Sequence, residues 1–119
     1  MRTPVDATQT DIEPGQLADW MAEDSSGVQV VDVREPYERE AGHIAGTRHI
    51  PMTALSEQAP SLDRDRPIVF YCRVGSRSTM AAQAFKAAGY QALSMTGGLV
   101  RWAGEDRPLH PPDGYVADH

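Results

Sequence analysis

The chain contains a single cysteine, Cys72, in the segment Cys72-Arg73-Val74-Gly75-Ser76-Arg77-Ser78. A thiolate is a strong nucleophile, and its neighbours here favour that form. Arg73 and Arg77 supply fixed positive charge. Gly75 lets the loop backbone curl so that successive N–H groups point inward. The apolar run Ile68-Val69-Phe70-Tyr71 ends directly on the cysteine, and an alanine-rich segment follows. Cys72 therefore stands at the end of a strand and just before a helix. Free N–H groups and the helix dipole favour an anion at such a place. The same features would hold an incoming anionic donor. A free cysteine on its own is as often a buried, inert core residue; Gly75 and two arginines in one strand-to-helix loop weigh against that.

The four histidines, His43, His49, His110 and His119, offer no competing chemistry of equal weight. A Cys–His hydrolase needs one of them beside the thiol, and nothing in the sequence puts one there. They show no paired metal-ligand spacing, although His43 and His49 bracket a presumed turn. With one cysteine, an internal disulfide is impossible and a cysteine-based zinc cage is excluded as a working idea. No metal and no bound cofactor are expected.

The elements that must position Cys72 alternate along the chain. Pro14 suits a first helical position, and Leu17, Trp20 and Met21 share one face at helical spacing. Residues 28–33 are short, apolar and β-branched, which predicts a buried strand. Pro36 opens a short helix to Ala41, stopped by Gly42. His49-Ile50-Pro51 allows a brief strand, and residues 53–57 a helical turn or two. Residues 68–71 predict a second buried strand, 78–88 a helix ended by Gly89, and 92–95 a last strand. A short helix over 99–103 follows Gly97-Gly98. Strands alternating with helices imply parallel pairing and an α/β layered fold.

At 119 residues the chain is one domain in size, with 40% hydrophobic and 24% charged residues, as in ordinary globular domains. The formal net charge of −6 argues against nucleic-acid or anionic-membrane partners, which need a basic footprint. No apolar stretch reaches membrane-spanning length, and residues 1–10 lack a signal-peptide core. A lone thiol suits a reducing cytoplasm. The organisation expected is a flexible lead at 1–9, a folded unit at 10–108, and a Pro/Gly-containing tail at 109–119 that lies on the surface or is disordered.

From about Thr10 to Pro108 the chain resembles the rhodanese-like (thiosulfate sulfurtransferase) family in its single-domain form. Landmarks occur in the family's order: Asp32-Val33-Arg34-Glu35 followed by Glu40-Ala41-Gly42-His43-Ile44-Ala45-Gly46; then Cys72 to Ser78; then Gly97-Gly98 followed by Trp102. The resemblance implies a three-layer α/β fold with a central, mostly parallel sheet of about five strands flanked by helices. It implies ping-pong sulfur transfer through a Cys72 persulfide. The donor would be thiosulfate or another small anionic sulfane compound, and the acceptor cyanide or a thiol. Cys72 takes the catalytic position, and Arg73, Val74, Gly75, Ser76 and Arg77 form the loop around the persulfide. Arg77 would bind the donor's anionic end or brace the loop. Arg73 would reach substrate if it faces the pocket mouth.

Around that loop, Asp32 ends a strand on the side of the sheet that carries Cys72, where a buried carboxylate could pair with an arginine and fix the loop. Arg34 and His43 read as packing and hydrogen-bonding residues. Gly97 and Gly98 permit a tight turn near the loop, and Trp102 reads as core.

Two other functions use related parts. Phosphatases of similar fold place five residues between cysteine and arginine; here only Arg73 to Ser76 intervene before Arg77. A shorter ring suits one sulfur atom better than a phosphoryl group. An arsenate reductase would also want a further thiol. A persulfide carrier serving a partner protein in cofactor or tRNA thiolation needs the same loop as the enzyme, so it stays open beside it.

Overall fold

The computed structural model describes residues 9–119, so residues 1–8 of the expected lead lie outside the described residues. The chain runs β1 (Asp11–Ile12), α1 (Pro14–Glu23), β2 (Gln29–Asp32), α2 (Pro36–Ala41), β3 (Arg48–His49), α3 (Leu55–Gln58), β4 (Ile68–Tyr71), α4 (Ser76–Ala87), β5 (Ala92–Met95) and α5 (Gly98–Gly104). Single 3-10 turns cover Ser25–Gly27, Met52–Ala54 and Ala59–Ser61. One five-stranded sheet forms in the order β1-β5-β4-β2-β3, and every pairing is parallel. Among the described residues no helix is long and apolar enough to cross a membrane.

Strand alternation divides the core into two faces. Val31, Ile68, Phe70 and Ala92 point to the face packed by Leu55 of α3 and by Ala81, Ala82 and Phe85 of α4. Val30, Val69, Tyr71, Leu93 and Met95 point to the other face, against Leu17 and Trp20 of α1 and Leu99 and Trp102 of α5. The result is three layers, helix on sheet on helix.

Local chemistry sets the boundaries. Pro14 opens α1 and Pro36 opens α2. In α2 the Glu35 N–H donates to Glu38 Oε1 at 3.0 Å, which closes the first turn. Helix α4 begins at Ser76, earlier than the expected 78, because Gly75 adopts φ 111° and turns the chain straight into the helix. Strand β1 is too short for any periodic signal, yet Ile12 is buried beside Met95 in register with β5. Residues 109–119 lie along the surface and are tied back to the domain. His43 and His110 exchange backbone hydrogen bonds at 3.0 and 2.7 Å, and the Tyr115 N–H donates to Ala41 O at 3.0 Å.

Candidate active site

Cys72 continues the alternation of β4, so its side chain follows Ile68 and Phe70 onto the α4 face. It is fully buried. Its Sγ accepts the Gly75 N–H at 3.1 Å and the Ser78 N–H at 3.4 Å, and lies 3.5 Å from Ser78 Oγ. Within α4 the first hydrogen bond back to the loop runs from Thr79 N–H to Gly75 O at 3.0 Å. The N–H groups of Ser76 and Arg77 stand ahead of it, in the first turn, with no helical carbonyl behind them. The thiol thus sits where backbone donors and the helix dipole converge on negative charge.

Hydroxyls extend this arrangement into the core. Ser78 Oγ and Ser94 Oγ are 2.7 Å apart, and Thr79 Oγ1 donates to Ser94 Oγ at 3.4 Å. Ser94 belongs to β5 and is in register neighbourhood with Phe70, on the same face as Cys72. Thr79, Ser94 and Ser78 thus form a chain of hydroxyls that ends beside Sγ, and the Ser78 hydroxyl also donates to Gly75 O at 3.2 Å.

The glycine pair backs the loop directly. Gly97 and Gly98 have φ 75° and 62°. Leu99 N–H donates to Cys72 O at 2.8 Å and Val100 N–H to Arg73 O at 3.0 Å. A Cβ on Gly98 would lie 2.7 Å from Cys72 O, so only glycine allows this approach.

The two loop arginines have different surroundings. Arg77 makes a double-pronged pair with the fully buried carboxylate of Glu38, at 2.8 and 3.0 Å. Burial pushes the Glu38 carboxyl up, but the Arg77 hydrogen bond, the Glu35 N–H and the charges of Arg77 and Arg34 outweigh it and hold it below its ordinary value. The Arg77 guanidinium is raised, chiefly by its hydrogen bond to Glu38 against the opposing effect of burial, with the Glu38, Cys72 and Asp32 charges adding to it. Arg73 points outward. It lines an open pocket with Val74, Ser76, Arg77, Asp118 and His119, and its Nη2 lies 3.4 Å from Asp118 Oδ1.

The other sequence-selected residues gather one layer away. Asp32 does not hydrogen-bond to the loop. It holds Arg34 through Nε at 2.8 Å and Nη2 at 2.7 Å, accepts the Arg34 N–H at 3.0 Å, and lies 3.4 Å from Arg39. Arg34 in turn donates to Gly42 O at 2.8 Å. This cluster fixes the connection from β2 to α2, and α2 delivers Glu38 to Arg77. His43 Nδ1 lies 3.0 Å from Arg39 O, and its ring meets that of His110 edge-on at 5.3 Å. Burial leads in lowering His43 below its ordinary value, with Arg39 and His110 contributing and the Arg39 carbonyl opposing. The hydrogen bonds to Cys72 come from Gly75 and Ser78, not from a histidine. Among the described residues no group of three or more His, Cys, Asp or Glu could hold a metal ion.

Glu38, Ser94 and Asp118 escaped the sequence reading, and Ser78 entered it only as the last residue of the loop landmark, without a role. Ser94 left a trace: it is the polar residue in an otherwise apolar strand, on the phase that faces α4. Glu38 left another, as the acid three residues after Glu35, just inside the helix that Pro36 opens. Asp118 left none.

The chain matches the rhodanese-like domain family over residues 13–105. It is 34% identical over 92 residues to a sulfurtransferase of Allochromatium vinosum, covering 76% of this chain and 86% of that protein. It is 37% identical over 100 residues to a probable adenylyltransferase/sulfurtransferase of Mycobacterium tuberculosis, covering 82% of this chain but 25% of that protein. It likewise spans only 62% of a Bacillus subtilis relative. Among solved structures, a rhodanese-related protein of Thermoplasma volcanium superposes with a TM-score of 0.74 at 30% identity, over 84% of this chain and 96% of that one.

Proposed function

The chain belongs to the rhodanese-like domain family, and from that premise we propose that it is a sulfurtransferase whose Cys72 alternates between thiolate and persulfide. The observation that carries the proposal is the convergence of two backbone N–H groups on Cys72 Sγ at the start of α4, with the Ser78 hydroxyl beside it. These donors stabilise negative charge on sulfur without reorganising during the reaction.

In the first half-reaction the thiolate attacks the outer sulfur of a sulfane donor. With thiosulfate, the new Cys72 S–S bond forms as the donor S–S bond breaks, and sulfite leaves with the electron pair. In the second, cyanide or a thiolate attacks the terminal sulfur and Cys72 departs as thiolate. The N–H groups of Ser76 and Arg77, in the first turn of α4, would receive the terminal sulfur of the persulfide. Arg77 braces the loop through Glu38. These 119 residues hold no other cysteine to take the sulfur, so the acceptor lies outside them. That acceptor is a small molecule or a thiol on a partner protein; Val74 at the loop tip is 52% exposed and offers a partner an apolar contact.

Intact-mass measurement after incubation with thiosulfate and with a thiol persulfide tests the reading. A gain of one sulfur that cyanide removes and Cys72→Ser abolishes is expected. No gain from any sulfane donor sinks it.

A further inference from the structure

The pocket outside the Cys72 loop has two walls. One is the loop itself, through Arg73, Val74, Ser76 and Arg77; the other is the tail, through Asp118 and His119. The tail reaches this place because it is anchored upstream, by the His43–His110 backbone pair and by Tyr115 N–H on Ala41 O. Gly42 lets it lie close, since a Cβ there would sit 2.6 Å from Tyr115 O.

Each loop cation that a donor could use already faces a carboxylate. Arg77 is committed to Glu38 through both terminal nitrogens. Arg73 is met by Asp118. The two positive and two negative charges cancel, on a chain whose net charge is −6. A small dianion such as thiosulfate meets in this wall an Arg73 whose charge Asp118 partly offsets through one terminal nitrogen, and it is repelled by the Asp118 carboxylate beside it. Asp118 can be displaced, because the contact is a single exposed one at 3.4 Å with the Asp118 side chain 99% exposed, and such pairs are weak.

We propose that Asp118 is a specificity-determining residue of the pocket, which disfavours small dianionic sulfur donors and leaves low-charge organic persulfides as the preferred donor class. This rests on the persulfide reading above and refines its donor. In the step, Cys72 thiolate attacks the outer sulfur of R–S–SH. The Cys72 S–S bond forms, the donor's S–S bond breaks, and the thiolate R–S⁻ leaves with the electron pair while the proton stays on the transferred sulfur.

The test compares thiosulfate with the persulfide of 2-mercaptoethanol in the wild type and in Asp118→Asn, an exposed change that keeps side-chain size. Removing one nearby surface charge should raise kcat/KM for thiosulfate about three- to tenfold, through KM, and leave the organic persulfide within about twofold. The thiosulfate gain should shrink in about 0.5 M salt, as screening predicts. Equal changes for both donors, or no change for thiosulfate, overturn the role of Asp118 while wild-type persulfide formation keeps the sulfurtransferase reading intact. A wild type that takes sulfur from neither donor overturns both.

Discussion

At the sulfur atom the decisive groups are short-range donors, and one of them can be removed cleanly. Ser78→Ala deletes the hydroxyl 3.5 Å from Sγ but keeps the Ser78 N–H at 3.4 Å. A hydrogen bond to a charged acceptor is worth about 1.5–3 kcal/mol, and sulfur sits at the low end of that range. Alkylation of Cys72 by iodoacetamide at neutral pH should therefore slow about tenfold. Ser94→Ala, which touches Ser78 and not sulfur, should slow it less, because Ser78 can still turn toward Gly75 O at 3.2 Å or toward sulfur. If Ser94→Ala equals or exceeds Ser78→Ala, the hydroxyl chain is not the route by which Ser94 acts. Cys72 and its loop were legible in the sequence because strand, cysteine, glycine and arginines are consecutive. The Ser78–Ser94 contact was not, since it joins positions sixteen apart and exists only once β5 pairs with β4 in its observed register.

Between elements, α2 and the loop before α4 are joined by the Glu38–Arg77 pair, thirty-nine positions apart in the chain. Glu38 is completely buried and Arg77 is part-exposed, at 17%, so removing Arg77 leaves a buried charge without compensation. Arg77→Ala should cost about 2–3 kcal/mol at pH 7, read by denaturant unfolding. The pH dependence follows from the sign of the shift. In the wild type the carboxyl is held below 4.5, so its stabilisation is present above that value and is lost as the pH falls through the lowered one. In Arg77→Ala burial is no longer outweighed, so the folded protein gains from protonating Glu38. The stability gap between the two proteins should narrow from pH 7 toward pH 4; a constant gap would mean that Glu38 is not the group responding. Kinetically a brace differs from a binding group: Arg77→Ala should reduce sulfur transfer from thiosulfate and from an organic persulfide alike, and selective loss of thiosulfate would return Arg77 to donor binding. The sequence showed α2 through its proline start and glycine stop, but showed Asp32 as the carboxylate most suited to reach the loop. The fold gives Asp32 to Arg34 within the same connection, a pairing two residues apart.

Over the whole molecule, the parallel sheet sets the carboxyl ends of β2 and β4 side by side, Asp32 against Tyr71, so the α2 connection and the Cys72 loop open on one edge. The alternation of strands and helices made that class of fold legible. The course of residues 109–119 was not, because their proline and glycine content says only that they do not continue a helix or strand. Their docking combines the backbone hydrogen bonds to His43 and Ala41, which carry no side-chain signature, with Leu109 and Val116 packed on the core, two isolated apolar residues that show no period. This docking makes a distant, uncharged change informative. Gly42 has φ 174°, an extended backbone any residue can adopt, so Gly42→Ala acts through its Cβ, which would meet Tyr115 N at 2.8 Å. The tail must lift from Ala41, and amide exchange at Tyr115 should accelerate about tenfold or more as that hydrogen bond opens. If the tail forms the wall that carries Asp118, thiosulfate kcat/KM should rise in Gly42→Ala as it does in Asp118→Asn, with no charge altered. The two changes then act on one contact, so the double variant should gain no more than the larger single effect. Faster exchange at Tyr115 with unchanged thiosulfate use would separate tail docking from donor choice.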